Sequence, residues 1–227
     1  LVYLNPPKKV VGELASAVIV AVFTDIHFTH LHGFLGATDI GPVNSYILTI
    51  LVIIIIINAV NLIDGIDGLA ASVGIIASLV FGIFFYLSGD YGYTVMAAAL
   101  LGALIAFLRF NLSEGPNKIF MGDTGSLVIG FTLAVLAIRF NELVAKGSLV
   151  MDLESAPSVS IAVLIVPLFD TLRVIVLRLY YGESVFHADN RHTHHLMLRM
   201  RFTHLQATMI IAAFNISIFV LAFLLDP

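Results

Sequence analysis

Three polar stretches interrupt an otherwise apolar chain, and their residue types can hold phosphate and a hard cation. In the first, Asn58, Asn61, Asp64 and Asp67 recur at every third position directly after the run Ile53 to Ile57, with Gly65 and Gly68 each following one of the acids. A step of three on an α-helix turns the side chain by about 300°, so the four groups form one slowly winding stripe that can face one cavity. Two neighbouring carboxylates near hydrocarbon repel each other and cost about 2.5–3.5 kcal/mol each on insertion scales, unless a cation sits beside them. The second stretch, Phe120-Met121-Gly122-Asp123-Thr124-Gly125-Ser126, leads straight into an apolar run from Leu127. A Gly-flanked Asp at a helix start can hold a hard cation while backbone N–H groups meet phosphate oxygens. The third, His187-Ala188-Asp189-Asn190-Arg191-His192-Thr193-His194-His195, joins imidazoles to a guanidinium, with Arg199 and Arg201 downstream. That mixture suits a multiply charged phosphate.

Each stretch also has an ordinary reading. The first fits a helix end running into water, where Asp and Gly are common. In the second, Asp123 or Thr124 serves equally well as a helix N-cap. In the third, Arg199 and Arg201 suit anionic lipid headgroups, and a zinc site through His192 with His194 or His195 is disfavoured because no Cys supports it. Asp170 and Arg173, three apart, read as a structural buried ion pair. His27, His30 and His32 lack regular ligand spacing and read as solvated or lipid-interface histidines rather than a metal cluster.

The elements that must position these groups follow from composition. The 227 residues are 59% hydrophobic and 11% charged, with a mean hydropathy of +1.03. A soluble domain carries roughly 25% charged residues, so a water-soluble globule is excluded. The apolar runs are continuous, without the alternation of a membrane barrel, and a net charge of −4 implies no nucleic-acid partner. The chain has no cysteine, which rules out disulfides and thiolate metal sites. The expected fold is all-α, a polytopic transmembrane bundle forming a single integral-membrane domain over residues 1–227. Seven spans are predicted, at about 10–24, 45–60, 68–88, 94–109, 125–140, 157–180 and 207–225. With alternating helices, nine of the eleven Lys and Arg residues fall on one side, with Arg139 and Lys146 on the other. The positive-inside rule makes the first side cytoplasmic, and all three polar stretches lie there.

Together NLIDGIDGL (61–69), FMGDTGS (120–126) and HADNRHTHH (187–195), in this order, resemble the polyprenyl-phosphate N-acetylhexosamine-1-phosphate transferases. The resemblance runs from about Asn5 to about Leu205 and is nearest the undecaprenyl-phosphate GlcNAc-1-phosphate branch. Thr193 interrupts the run of histidines found in the muramoyl-pentapeptide branch. The resemblance implies a multi-pass enzyme of the cell inner membrane. Such an enzyme uses Mg²⁺ to transfer a sugar-1-phosphate from a UDP-N-acetylhexosamine to a polyprenyl (undecaprenyl) phosphate, releasing UMP at the cytoplasmic face. It leaves room for a homodimer. It also implies that Asp123 and Asn61 hold the metal, that Asp67 and Asn111 lie near the nucleotide, and that Asp64 is near the phosphates as a catalytic group. Arg191, His192, His194 and His195 would secure the diphosphate or the sugar.

One departure matters. The family carries an Asp-Asp pair in a cytoplasmic loop, and no such pair occurs in this sequence. The family also has more spans than the seven counted here. Leu1 to Lys9 is neither a signal peptide nor a complete first span. The expectation is that the family's first helices and the pair precede this chain, and that the chain alone is inactive. Two other classes compete: a cation-coupled transporter using Asp64, Asp67 and Asp123 as a path, and a noncatalytic membrane scaffold. The acids cluster at one face and no inverted repeat is visible, which disfavours the transporter.

Overall fold

A computed structural model describes residues 6–31, 40–149, 153, 156–182 and 192–226. Nine helices lie among the described residues: α1 (Pro6–Phe23), α2 (Pro42–Ile63), α3 (Leu69–Leu87), α4 (Tyr91–Asn111), α5 (Gly122–Ala145), α6 (Ala156–Val163), α7 (Ile165–Tyr180), α8 (Thr193–Arg199) and α9 (His204–Leu224). The expected all-α membrane bundle is borne out. Apolar runs of this length fold as helices because a helix pairs its own backbone groups, which hydrocarbon cannot do for it. Local signals set the ends. Pro42 opens α2, Gly68 at φ +80° separates α2 from α3, and Thr203 with Gln206 forms a capping box that starts α9.

The span count differs from the prediction. Helices α2, α3, α4, α5 and α9 are long and apolar enough to cross a membrane, and α6 with α7 makes a sixth if the pair counts as one span. The remaining predicted span corresponds to α1, whose 18 residues include Lys8, Lys9 and Glu13. The expected single helix at 157–180 is broken at Leu164, its halves meeting at 81°. Pro167 explains the break, since it has no N–H to give to the carbonyl of Val163 four residues earlier. Hydropathy is continuous through this point, so the apolar run conceals the bend.

The core is centred on α5, the most buried of the spans. It meets α2 backbone to backbone: a Cβ added at Gly130 would lie 2.7 Å from Ile57 Cα. Such contacts between small residues and a facing backbone let membrane helices pack closely where no water drives them together. Phe140 of α5 packs against Phe81 and Phe84 of α3, with ring centroids 5.5 and 5.0 Å apart. Large apolar side chains such as Ile55, Ile105, Phe214 and Val220 remain exposed, as a lipid-facing surface requires.

Polar groups fasten both ends of the bundle. At one end the buried Glu142 carboxylate accepts from Thr29 N–H at 2.7 Å and from the Thr29 hydroxyl at 2.8 Å. Nearby, Arg139 pairs with Asp90 at 2.7 Å and lies over the Tyr93 ring. His27 stands edge-on to Tyr46, and His32 lies outside the described residues. The opposite end gathers the start of α1, the ends of α2 and α4, and the starts of α3, α5 and α9.

Candidate active site

Helix α2 stops at Ile63, and the chain turns through Asp64 to Gly68 before α3 begins. Asn111, at the end of α4, holds that turn. Its Oδ1 accepts from Gly68 N–H at 2.7 Å, and its Nδ2 donates to the Ile119 carbonyl at 2.9 Å. Asn111 is buried, so this one side chain ties the α2–α3 turn to the segment that leads into α5. Gly122, at φ +65°, sets Asp123 in the first turn of α5, where the helix N-terminus favours a carboxylate. Asn61 bridges the two segments: its Nδ2 donates to Ser126 Oγ at 2.7 Å and lies 3.4 Å from Asp123 Oδ1. From α1, the Lys9 ammonium donates to Asn61 Oδ1.

These groups surround a cavity of about 320 Å³ whose lining includes Asn61, Asp64, Asp67, Asn111, Asp123 and His204. Of the acids and amides read from the first two motifs, Asn61, Asp64, Asp67 and Asp123 therefore meet, whereas Asn58 is turned away and donates to Glu13 of α1. Their surroundings differ. Asp67 is neutralised by Lys118 at 2.6 Å and approached by His204 Nδ1 at 3.1 Å, while its carbonyl accepts from the Thr208 hydroxyl at 2.8 Å. Asp64 is half-buried, and that burial, with the Asp123 carboxylate as a second cause, pushes it up to about 7. The Asp64 and Asp123 carboxylates form an all-oxygen donor set suited to a hard divalent cation that takes its remaining ligands from phosphate and water. Among the described residues, no three His, Asp or Glu side chains form a metal-holding group by themselves. Asn61 lies beside Asp123, but in the arrangement seen its amide oxygen is turned to Lys9.

The described end of the third motif, His192 to His195, starts a short helix rather than lying in a loop. Asp170 of α7, buried at 3% exposure, anchors the first turn of α8. It accepts at Oδ1 from Thr193 N–H at 2.8 Å and from the Thr193 hydroxyl at 2.5 Å, while its Oδ2 is 2.8 Å from His192 Nδ1. Arg173 adds the expected ion pair at 3.6 Å. The rings of His192 and His194 stack at 5.7 Å, and His195 lies against His194. His194 is 1% exposed and packs on Gly65, in the turn between Asp64 and Asp67. Burial, reinforced by the His195 imidazole, holds His194 well below the ordinary imidazole range, at about 4, so the ring is neutral at physiological pH. Its other side borders an apolar cavity of about 310 Å³ lined by Ile63, Leu69, Val166, Phe169 and Ile211. His187, Asp189 and Arg191 lie outside the described residues.

Sequence reading passed over Lys9, Lys118, His204 and Thr208, and treated Asp170 only as a partner of Arg173. A signal existed for His204 and Thr208. The Thr203-His204-Leu205-Gln206 capping box starts α9 three residues earlier than its apolar run, which brings both onto a helix face pointing at Asp67.

These features define an integral-membrane helical protein with an acidic cavity at one end, flanked by a histidine-bearing helix. The chain belongs to glycosyl transferase family 4, whose family model matches residues 1–141. It is 31% identical over 217 residues to the undecaprenyl-phosphate alpha-N-acetylglucosaminyl 1-phosphate transferase of Escherichia coli (strain K12), covering 92% of this chain and 57% of that protein. It is 32% identical over 223 residues to the decaprenyl-phosphate N-acetylglucosaminephosphotransferase of Mycobacterium tuberculosis (strain ATCC 25618 / H37Rv), covering 92% of this chain and 54% of that protein. The resemblance drawn from the three motifs is borne out. The chain spans about half the length of the curated relatives it matches.

Two outcomes follow from this geometry. A Cβ at Gly65 would lie 2.1 Å from His194 Nε2, so Gly65→Ala must displace the ring. The substitution should destabilise the protein by about 1–3 kcal/mol, the usual cost of overpacking. In a His194→Ala background most of that cost should vanish, which a double-mutant cycle on thermal unfolding will read. The second outcome concerns Asp64. Its raised value means that the folded state keeps a proton the unfolded state has released, so this group's contribution to stability falls as pH rises from about 4 to about 7. Infrared spectra of metal-free protein should show a protonated carboxyl band, absent in Asp64→Asn, that disappears with a midpoint near 7. Asp123→Asn should move that midpoint down, though not to the ordinary range, because burial is the larger cause.

Proposed function

We propose that the protein transfers GlcNAc-1-phosphate from UDP-GlcNAc to a polyprenyl phosphate at the cytoplasmic membrane face and releases UMP. The observation that carries this reading is the meeting of Asp64 and Asp123 at one cavity, with His194 packed behind Gly65 on the turn between the acids. In the reaction a lipid phosphate oxygen attacks the β-phosphorus of the donor. The bridging bond between the α- and β-phosphorus breaks, and UMP leaves with the bridging oxygen. One diphosphate linkage replaces another, so the catalyst must chiefly align two polyanions and control their charge.

Asp123 with Asp64 would hold Mg²⁺, with Asn61 contributing if its amide turns away from Lys9. The bound cation would supply Lewis-acid polarisation and charge neutralisation at the diphosphate. The chain's own residues do the rest. Asp67, set by Lys118 and Thr208, marks the nucleotide side of the cavity, and Asn111 shapes that side by fixing Gly68. His192, His194 and His195, with Arg191, would secure the diphosphate or the sugar; in the arrangement seen none of the three imidazoles lines the acidic cavity, and His194 reaches it only through its packing on Gly65. The homology to GlcNAc-1-phosphate transferases supports the choice of donor and acceptor.

The test uses the native protein in detergent or nanodiscs with radiolabelled UDP-GlcNAc and undecaprenyl phosphate. UMP and labelled lipid should appear only with Mg²⁺. Asp123→Asn should reduce the rate by about 100-fold or more, corresponding to ~2.7 kcal/mol of lost transition-state stabilisation. Metal-independent transfer, or ion flux into liposomes without UMP release, would overturn the reading.

A further inference from the structure

Helix α9 carries His204, Thr208, Ile211 and Asn215 at spacings of four, three and four, which puts them on one face. The first two reach the acidic turn through Asp67. Asn215, three turns farther into the membrane, is fully buried and donates from Nδ2 to the Val163 carbonyl at 3.0 Å. Val163 ends α6, and its carbonyl is the one whose helical donor would be the N–H of residue 167. Proline there supplies none. The amide of Asn215 therefore stands where that donor is missing.

Asn215 keeps this position at a cost. Its own Oδ1 is buried and finds no hydrogen-bond partner among the described residues. A leucine would fill a similar volume without leaving a polar atom stranded, so the residue's distinctive contribution is its donor. The bend at Leu164 then aims α7 so that Asp170 receives Thr193 and His192. On that anchor hang the first turn of α8 and the packing of His194 against Gly65.

We propose that Asn215 is a positioning residue for the histidine-bearing helix: its amide replaces the N–H that Pro167 lacks, fixes the bend between α6 and α7, and so holds Asp170 where it orients His192 and Thr193. The part of the proposal that concerns turnover rests on the transferase reading above. The structural part does not.

The experiment applies diethyl pyrocarbonate to the full-length protein in nanodiscs and maps histidine modification by mass spectrometry. In the wild type His192 and His194, 4% and 1% exposed, should be protected. Asn215→Leu should raise modification at both by roughly tenfold or more, the order expected when a buried carbonyl loses its donor. It should also lower kcat for UMP release by a similar factor. Asn215→Gln, which keeps an amide donor, should restore most of the protection. If Asn215→Leu does not accumulate as folded protein, Asn215→Ala removes the donor with less change in shape. Folded donor-less variants with both histidines protected and kcat within about twofold of wild type would overturn the proposal. So would equal reactivity in the Leu and Gln variants. Altered protection in a protein that releases no UMP supports the positioning role while the transferase reading fails.

Discussion

A polar group inside hydrocarbon needs a partner, and the architecture of this chain is arranged around that requirement. Each interior polar side chain that links two elements meets a group on a helix it does not belong to. Asn58 of α2 donates to Glu13 of α1 at 2.6 Å, Asn141 of α5 to Ser160 of α6 at 3.0 Å, and Asn215 of α9 to the carbonyl that ends α6. Such bonds add modest net energy, yet the alternative to each is a stranded group whose desolvation costs more than the bond gains. They therefore specify which helices are neighbours, while the contacts of Gly130 and Phe140 set how closely those helices approach.

The same requirement separates the two ends of the bundle. Where Glu142 meets Thr29 and Asp90 meets Arg139, each acid is answered by a donor or cation of the chain, and the result is fastening. At the other end Asp67 is answered by Lys118, and Asp170 by His192, Thr193 and Arg173. Asp64 is instead held partly out of water beside a second carboxylate, which is why it retains a proton near neutral pH. A carboxylate kept in that condition fits a site made for something the chain does not itself supply.

Much of this end was legible in the sequence, because its signals are local. Gly122-Asp123 sits at a helix start and could be placed before any fold was known. The step of three rightly put Asn58 and Asn61 on an apolar helix, although that helix stops at Ile63 and leaves Asp64 and Asp67 in the turn beyond it rather than on the same stripe. Sidedness then brought distant segments to one face. What the sequence did not disclose depends on contacts between elements. The bend at Leu164 lies inside continuous hydropathy, and Pro167 marks a break without giving its angle. That angle is what converts Asp170 from a partner of Arg173 into the anchor of α8. The burial of His194 could not be foreseen either, since a histidine-rich segment reads as solvated until Gly65 is seen to make room for the ring.

The charge at the cavity gives the last step of the argument. A diphosphate donor and a phosphate acceptor are both anionic, and the described wall nearest Asn61 offers them Asp64 and Asp123. Lys9 is turned to Asn61 and Lys118 to Asp67, so neither ammonium is directed at the two acids. His194 cannot compensate, because burial keeps it neutral at physiological pH. A bare cavity of this sign repels its own proposed substrates, and protonating Asp64 relieves only part of that repulsion. In the proposed reaction a divalent cation held by these carboxylates would offset that repulsion, and would do so most strongly where water is scarce. The half-burial of Asp64 acts in the same sense as its neighbouring carboxylate: it raises the cost of leaving the acid ionised without a partner, in surroundings where charges act with little screening.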